Sequence, residues 1–310
     1  MLVEMKDLVK RYQDVPAVDH VSLEIREGEI FGLLGPNGAG KTTTLNMLIG
    51  LTKMDGGSIK IFGKNLEDSA GEIKKQIGIV PQEIAIYEDL TAAENVAFFG
   101  RLYGLRGSLL KERIDEALAF AGLEEKKKQY PRKFSGGMKR RLNIACAVMH
   151  RPRLIIMDEP TVGIDPQSRK HILDSVLKLH DSGSTVLYTS HYMEEAEELC
   201  TRIAIMDQGR IIAQGTKDEL KELVSSEERI MIELSAANYT LVEQIKKVSG
   251  VRECAIEGKT LTVIAAKNGR IISRLIELIT ATGSEIISLN VEKITLENVF
   301  LTLTGKTLRD

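Results

Sequence analysis

Residues 35 to 43, GPNGAGKTT, match the pattern G-x-x-x-x-G-K-[ST] at every fixed position and lie between an apolar run, EIFGLLG (29 to 35), and a stretch with helical character. These residue types at this spacing suit a polyphosphate. From Gly35 through Pro36, Asn37, Gly38, Ala39 and Gly40 the backbone can curl so that its N–H groups meet β- and γ-phosphate oxygens, and the helix that follows turns its positive end toward them. Lys41 neutralises charge on the γ-phosphate side, and the hydroxyl of Thr42, followed by Thr43, can ligate Mg²⁺. A glycine-rich turn that merely opens a helix is the plainer alternative. The complete match in a strand, loop and helix setting weighs against it.

A second group lies in LIIMDEP, residues 154 to 160. An apolar strand ending in Asp158 delivers a carboxylate to the C-terminal edge of a sheet, beside the phosphate loop, where it can hold Mg²⁺ directly or through water. Glu159 then faces the γ-phosphate and can polarise an attacking water. An isolated Asp-Glu pair would more often cap a helix, and the phosphate loop upstream reverses that preference. His191, ending STVLYTSH, and Gln82, in GIVPQE, each close an apparent strand. Alone, each reads as a structural hydrogen-bonding position. Together, at the edge where open α/β sheets bind ligands, they are candidates for one site. FSGGM, residues 134 to 138, opens a helical run with Ser135, Gly136 and Gly137. Such a helix start offers N–H donors and a positive dipole end to a γ-phosphate, and a capping Ser135 still leaves other N–H groups free.

Short apolar runs alternate with helical stretches around these residues: 29 to 35, RLIIMDE (153 to 159) and 184 to 191 read as buried strands. The alternation predicts an α/β fold, a mostly parallel sheet with helices on its faces. At its N-terminal edge VEMKDLVKRY, VDHVSLEI and GSIKIFG, joined by turns such as REGE and DGG, predict an antiparallel β flank. Residues 83 to about 150 read as largely helical. Asp165-Pro166 is a favourable N-cap and first-turn pair for the next helix, and MDQGRI suits a hairpin turn.

At 310 residues the chain is long enough for two domains. Thr216 with Glu219 forms a capping box, and the charged stretch KELVSSEER reads as a linker, which divides the chain into residues 1–220 and 227–310. The second part runs strand (RIMIELS), helix, strand (VRECAIEG), strand (TLTVIAA), helix, strand (EIISLNVEK), the order of a ferredoxin-like α+β domain, with TLENVFLTLTGK as an added helix. The 42 basic residues nearly balance the 44 acidic ones, so no global field draws the chain to nucleic acid or an anionic membrane. Cys146, Cys200 and Cys254 lack CxxC spacing, against zinc and against a disulfide framework. No window approaches the ~18 apolar residues needed to span a bilayer, so the expected location is cytosolic unless another protein holds the chain at a membrane.

Taken in order, these motifs resemble those of the nucleotide-binding subunit of an ATP-binding cassette (ABC) transporter, densely over residues 2 to about 220. The resemblance implies a P-loop ATPase core that binds ATP and Mg²⁺. It places the Walker A loop at Gly35 to Thr43, the Q-loop at Gln82, the signature at Ser135 to Met138, Walker B at Leu154 to Asp158 with the catalytic glutamate at Glu159, the D-loop at Asp165 and the switch histidine at His191. Gln82 would join Thr42 and Asp158 around the metal, and Tyr12 fits the aromatic that stacks on adenine. Residues 83 to 150 would be the helical subdomain, with the segment around Tyr87 to Leu90 facing a membrane-spanning partner. Two copies would pack head to tail as a homodimer, the Ser-Gly-Gly of one closing over the ATP of the other. The signature departs from LSGGQ: Phe134 and Met138 flank the Ser-Gly-Gly, and Met138 cannot make a glutamine's hydrogen bonds. Met followed by the basic run MKRRL, and the tail SLNVEKITLENVFLTLTG, resemble the ABC-2 type exporter and drug-resistance ATPases.

The expected function is therefore ATP hydrolysis powering export through a separately encoded membrane permease, with the chain peripheral on the inner face of the cell membrane. A soluble ABC ATPase acting on ribosomes or DNA is the alternative; one cassette, no long coiled-coil insertion and no basic tail speak against it. A P-loop GTPase or kinase is disfavoured by the missing N-K-x-D motif.

Overall fold

Alternation of buried and exposed side chains makes a hairpin of the N-terminus. β1 (Val3–Tyr12) and β2 (Val15–Ile25) pair antiparallel, with Tyr12 opposite Val15 at the turn. The second strand therefore begins before the run VDHVSLEI, because Gln13 takes φ +56 and closes the turn early. The structure, a computed structural model, describes residues 1–224, 227–236, 239–266, 270–292 and 294–305. Ser225 and Ser226 of the linker stretch, Lys293, and Lys306 of the last predicted helix lie outside these residues. The chain contains two compact units, Met1–Lys217 and Asp218–Lys306.

In the first unit β3 (Ile30–Leu34) is buried at every position and leads through the glycine loop into α1 (Lys41–Leu48). β4 (Gly56–Ile61) and β5 (Lys64–Asn65) join the hairpin as a four-stranded antiparallel sheet of order β2-β1-β4-β5. The antiparallel flank is thus a sheet of its own and not an edge of the parallel one. Its inward residues, among them Val3, Met5, Leu23 and Ile59, share one core with Leu45 and Leu48 of α1 and with Leu33 of β3.

α2 (Leu66–Lys74) and β6 (Ile77–Val80) precede three helices, α3 (Ala92–Leu102), α4 (Gly107–Phe120) and α5 (Gly136–Val148), which fill most of residues 83–150. They enclose their own core, including Val96, Leu118, Phe134, Leu142 and Met149. Thr91 starts α3 with a complete capping box to Glu94. β7 (Leu154–Asp158), α6 (Pro166–Asp181), β8 (Thr185–Ser190), α7 (Met193–Leu199), β9 (Arg202–Asp207) and β10 (Arg210–Gly215) complete a six-stranded sheet of order β10-β9-β3-β8-β7-β6. Every neighbour pair is parallel except β10 with β9. The β9–β10 turn carries Gln208 at φ +48 and Gly209 at φ +79, the positive pair that a tight hairpin needs.

α8 (Lys217–Glu222) follows Thr216. The second unit then runs β11 (Glu227–Leu234), α9 (Tyr239–Ile245), β12 (Val251–Glu257), β13 (Thr260–Ala266), α10 (Arg270–Ala281), β14 (Ile286–Glu292) and α11 (Leu296–Thr304). Its strands are antiparallel in the order β12-β13-β11-β14. Ile230, Ile232, Leu261 and Val263 from the central strands bury against Leu241, Ile245, Leu275 and Ile279 of α9 and α10.

Candidate active site

Because β3, β8 and β7 lie side by side and parallel, the chain leaving each of them arrives at one sheet edge. The glycine loop after β3 is shaped by space. A Cβ on Gly35 would lie 2.2 Å from the Met206 carbonyl oxygen, and one on Gly40, at φ +106, would lie 2.4 Å from that of Ala17. Gly40 is also the N-cap of α1 and brings no side-chain cap, so the first N–H groups of the helix are left for an anion.

Lys41 and Glu159 are each only 4% exposed. The Lys41 ammonium donates to the carbonyls of Gly35 (2.7 Å) and Pro36 (3.1 Å) and lies 3.0 Å from Oε1 of Glu159. The other carboxylate oxygen of Glu159 is 3.2 Å from Nδ1 of His191. Glu159 leaves β7 at φ +44, a costly conformation for a non-glycine residue, and its N–H donates to the Thr189 hydroxyl at 2.9 Å. That hydroxyl donates in turn to Oδ1 of Asp158 (2.6 Å), while Oδ2 of Asp158 accepts from Thr42 at 3.0 Å. Lys41, Thr42, Asp158, Glu159 and His191 thus form one connected cluster. A buried carboxylate between a lysine and a histidine, beside an Asp–Thr oxygen pair and uncapped helix N–H groups, can hold a polyphosphate and direct a water at it.

The other sequence candidates stand apart from this cluster. Gln82 follows the edge strand β6 and is exposed; among the described residues its side chain makes no hydrogen bond. Its carbonyl instead accepts from Arg140 of α5, whose buried guanidinium also donates to Pro81 O at 2.5 Å. Burial pulls the Arg140 pKa down, against the attraction of Asp158. Tyr12 is half-exposed at the hairpin end, and the nearby Ala17 carbonyl is the one that packs on Gly40. Ser135 caps α5 by accepting from Met138 N (3.3 Å), and Asp165 caps α6 by accepting from Ser168 N (2.9 Å). The bond from Ser168 holds the Asp165 carboxyl below its ordinary pKa. The two glycines of the signature differ: a Cβ on Gly137 would lie 2.0 Å from Ser168 Oγ, whereas one on Gly136 meets nothing. Phe134 and Met138 pack on the core of the helical segment, which accounts for an apolar residue at each place.

Sequence reading missed Thr189, Arg140 and Glu195. Thr189 is a hydroxyl inside a wholly buried strand, a signal that was present. Arg140 read as part of a basic run, and only burial distinguishes it from Arg141. The cysteines are free and buried, and burial pushes the thiols of Cys200 and Cys254 up to about 12 and about 11.

The mostly parallel sheet, the phosphate loop and the carboxylate at the β7 edge define a P-loop nucleoside triphosphatase. A family model described as ABC transporter matches residues 18–162. The chain is 45% identical over 311 residues to the linearmycin resistance ATP-binding protein LnrL of Bacillus subtilis, covering all of both chains. It is 37% identical to the Nod factor export ATP-binding protein I of Cupriavidus metallidurans, covering 100% of this chain and 99% of the relative. A solved dimeric ATP-binding cassette, in a post-hydrolysis state with ADP and Pi, matches with a TM-score of 0.63 at 30% identity over 69% of this chain and 98% of that one. The chain belongs to the ABC transporter family, as an ATP-binding and ATP-hydrolysing subunit.

Proposed function

We propose that Glu159 and His191 carry out the hydrolytic step on ATP held by residues 35 to 43, and that the energy drives export through a separate membrane permease. The observation that carries this reading is the buried contact chain from Lys41 through Glu159 to His191. A γ-phosphate entering the loop competes with Glu159 for the Lys41 ammonium. Glu159 is then free to accept a hydrogen bond from the attacking water, while His191 holds its other oxygen and fixes the carboxylate plane. Asp158 and Thr42 offer hard oxygen donors 3.0 Å apart, a set that fits Mg²⁺ completed by phosphate oxygens; bound there, the ion would offset the β,γ-phosphate charge. Gln82 would complete that set from the 81–90 segment. Tyr12 would stack on the adenine.

Ser135 and Gly136 in this reading face the ATP of a second copy, with Asp165 at the same interface; the dimeric form of the solved cassette supports it. Among the described residues no helix is long and apolar enough to cross a membrane. In this reading the permease is a separate chain, and this subunit sits on the inner face of the membrane through it. Export is supported by the names of the relatives, a resistance ATPase and a Nod factor export ATPase. The ATPase domain would span residues 1–220, and residues 227–310 would serve dimer contact or regulation, having no phosphate loop.

The test is Glu159→Gln. The variant is expected to bind ATP as tightly as the parent, to lose turnover by about 100-fold or more, and to accumulate ATP-bound dimers. Near-parental hydrolysis would remove Glu159 from its role.

A further inference from the structure

Glu195, on α7, lies outside every motif read from the sequence and is 3% exposed. Its Oε2 accepts three hydroxyls: Thr161 at 2.9 Å, Tyr188 at 2.7 Å and Ser190 at 3.0 Å. Among the described residues its Oε1 makes no hydrogen bond, and it faces the Arg169 guanidinium, with Nε 3.4 Å away. Arg169 also lies 4.6 Å above the ring of Tyr192. The Ser190 hydroxyl accepts from Tyr192 N (2.9 Å) while donating to Glu195, so the backbone on both sides of His191 is tied to this one carboxylate. Thr161 stands two residues beyond Glu159, and Arg169 stands in the first turn of the helix capped by Asp165.

A buried carboxylate is costly, and an apolar side chain of similar size would serve packing as well or better. What an apolar residue could not do is make three separate hydroxyls point to one place, because a carboxylate oxygen is an acceptor only. We propose that Glu195 is a positioning residue for hydrolysis: it clamps the segments that carry Glu159, His191 and Asp165 to one another and so sets the Glu159–His191 contact. This rests on the assignment of the hydrolytic step to Glu159 and His191. The burial of Tyr188 agrees with it, since burial first and the Glu195 carboxylate second drive that phenol far above its usual pKa, keeping it a hydrogen-bond donor.

The expected signature is a loss of rate without a loss of binding. A misplacement of about 1 Å in a catalytic group can cost ~100-fold, so Glu195→Ala should lower kcat by about 10- to 100-fold with the ATP Kd within about twofold of the parent. Like Glu159→Gln, it should still trap ATP in dimers. Tyr188→Phe removes one of the three donors and should lower kcat by about threefold. Glu195→Gln sets an amide N–H₂ against Arg169, and adding Arg169→Gln should restore part of the lost rate. Measured together are kcat, ATP Kd, trapped nucleotide and Tm. A parental kcat in Glu195→Gln and Tyr188→Phe overturns the clamp. So does a fall in kcat matched by an equal fall in ATP binding, the mark of a purely structural residue. If Glu195→Ala does not fold, the two milder variants decide. Retained turnover in Glu159→Gln, measured beside them, would instead remove the assignment on which the clamp rests.

Discussion

Lys41 Nζ and Glu159 Oε1 lie 3.0 Å apart, with both side chains almost wholly out of solvent. The cation that the phosphate loop presents and the carboxylate at the end of β7 are therefore each other's partner, and each is a large part of the other's environment. Removing one charge from such a pair leaves the other buried, which costs more than removing both.

A double-mutant cycle follows from this pair. Lys41→Met leaves Glu159 buried against His191 alone and should destabilise the chain, whereas Lys41→Met combined with Glu159→Gln should recover part of the loss. The expected coupling, from chemical denaturation without nucleotide, is about 0.5–3 kcal/mol. Additive effects would mean that the pair contributes nothing beyond its two members.

Gly136 and Gly137 should respond in opposite ways to the same substitution. Gly137→Asp must displace Ser168 of its own chain, and overpacking of this kind costs about 1–3 kcal/mol. Gly136→Asp meets open space and should fold with a Tm near the parent, yet place a carboxylate against a neighbour's γ-phosphate. Mixed with Lys41→Ala in a Glu159→Gln background, Gly136→Asp should restore one whole site per mixed dimer, read as trapped ATP. No trapping above the separate variants, with subunit mixing demonstrated, would assign Ser135 and Gly136 to capping alone.

Arg140 should hold the segment after β6 in place. Its guanidinium donates to the carbonyls of Pro81 and Gln82, while Asn143, one turn further along α5, accepts from Ala85 N at 3.0 Å. Arg140→Met leaves those carbonyls without this donor, at a cost of about 1–3 kcal/mol. Amide exchange should quicken across residues 81 to 88 and stay unchanged in β7. Unaltered exchange in that stretch would show that Asn143 and its neighbours suffice.

His150 should give the protein a pH-dependent stability. Its ring stacks on Tyr103 with centroids 3.5 Å apart, and Nε2–H donates to Ile77 O. Burial lowers its pKa from 6.5 to about 4, so as pH falls below 6.5 the unfolded chain takes up a proton that the folded chain refuses. Stability should therefore fall between pH 6.5 and about 4, by on the order of 1–3 kcal/mol, and this contribution should level off below that range. His150→Gln should flatten the slope in urea melts across those pH values; a slope identical to the parent's would place the effect elsewhere.

The order of elements was legible along the chain, since wholly buried strands such as Ile30–Leu34 and Leu154–Asp158 are continuous apolar runs. The same holds for the phosphate loop, whose glycines, lysine and threonine act within a few residues of one another. Capping by Ser135 and Asp165 is equally local. The early start of β2 and the separateness of the antiparallel sheet were not legible. Both depend on a turn at Gln13 and on which faces share a core, and neither leaves a pattern in the run VDHVSLEI itself.

Residue type and spacing by themselves determined which side chains could do chemistry and that they sit at strand ends, because these are properties of neighbours a few bonds apart. Tertiary structure alone decided that β8 lies between β3 and β7, and with it that Thr189 bridges Asp158 to Glu159, that Thr42 reaches Asp158 across 116 residues, and that Lys41 pairs with Glu159. It also decided that Gly137, and not Gly136, touches Ser168, and that Glu195 gathers three hydroxyls from two segments, Thr161 after β7 and Tyr188 and Ser190 of β8. The physical reason is that such contacts follow from the order in which strands stack and from which faces bury together. That order is set by the packing of the whole core, and no single stretch of sequence carries it.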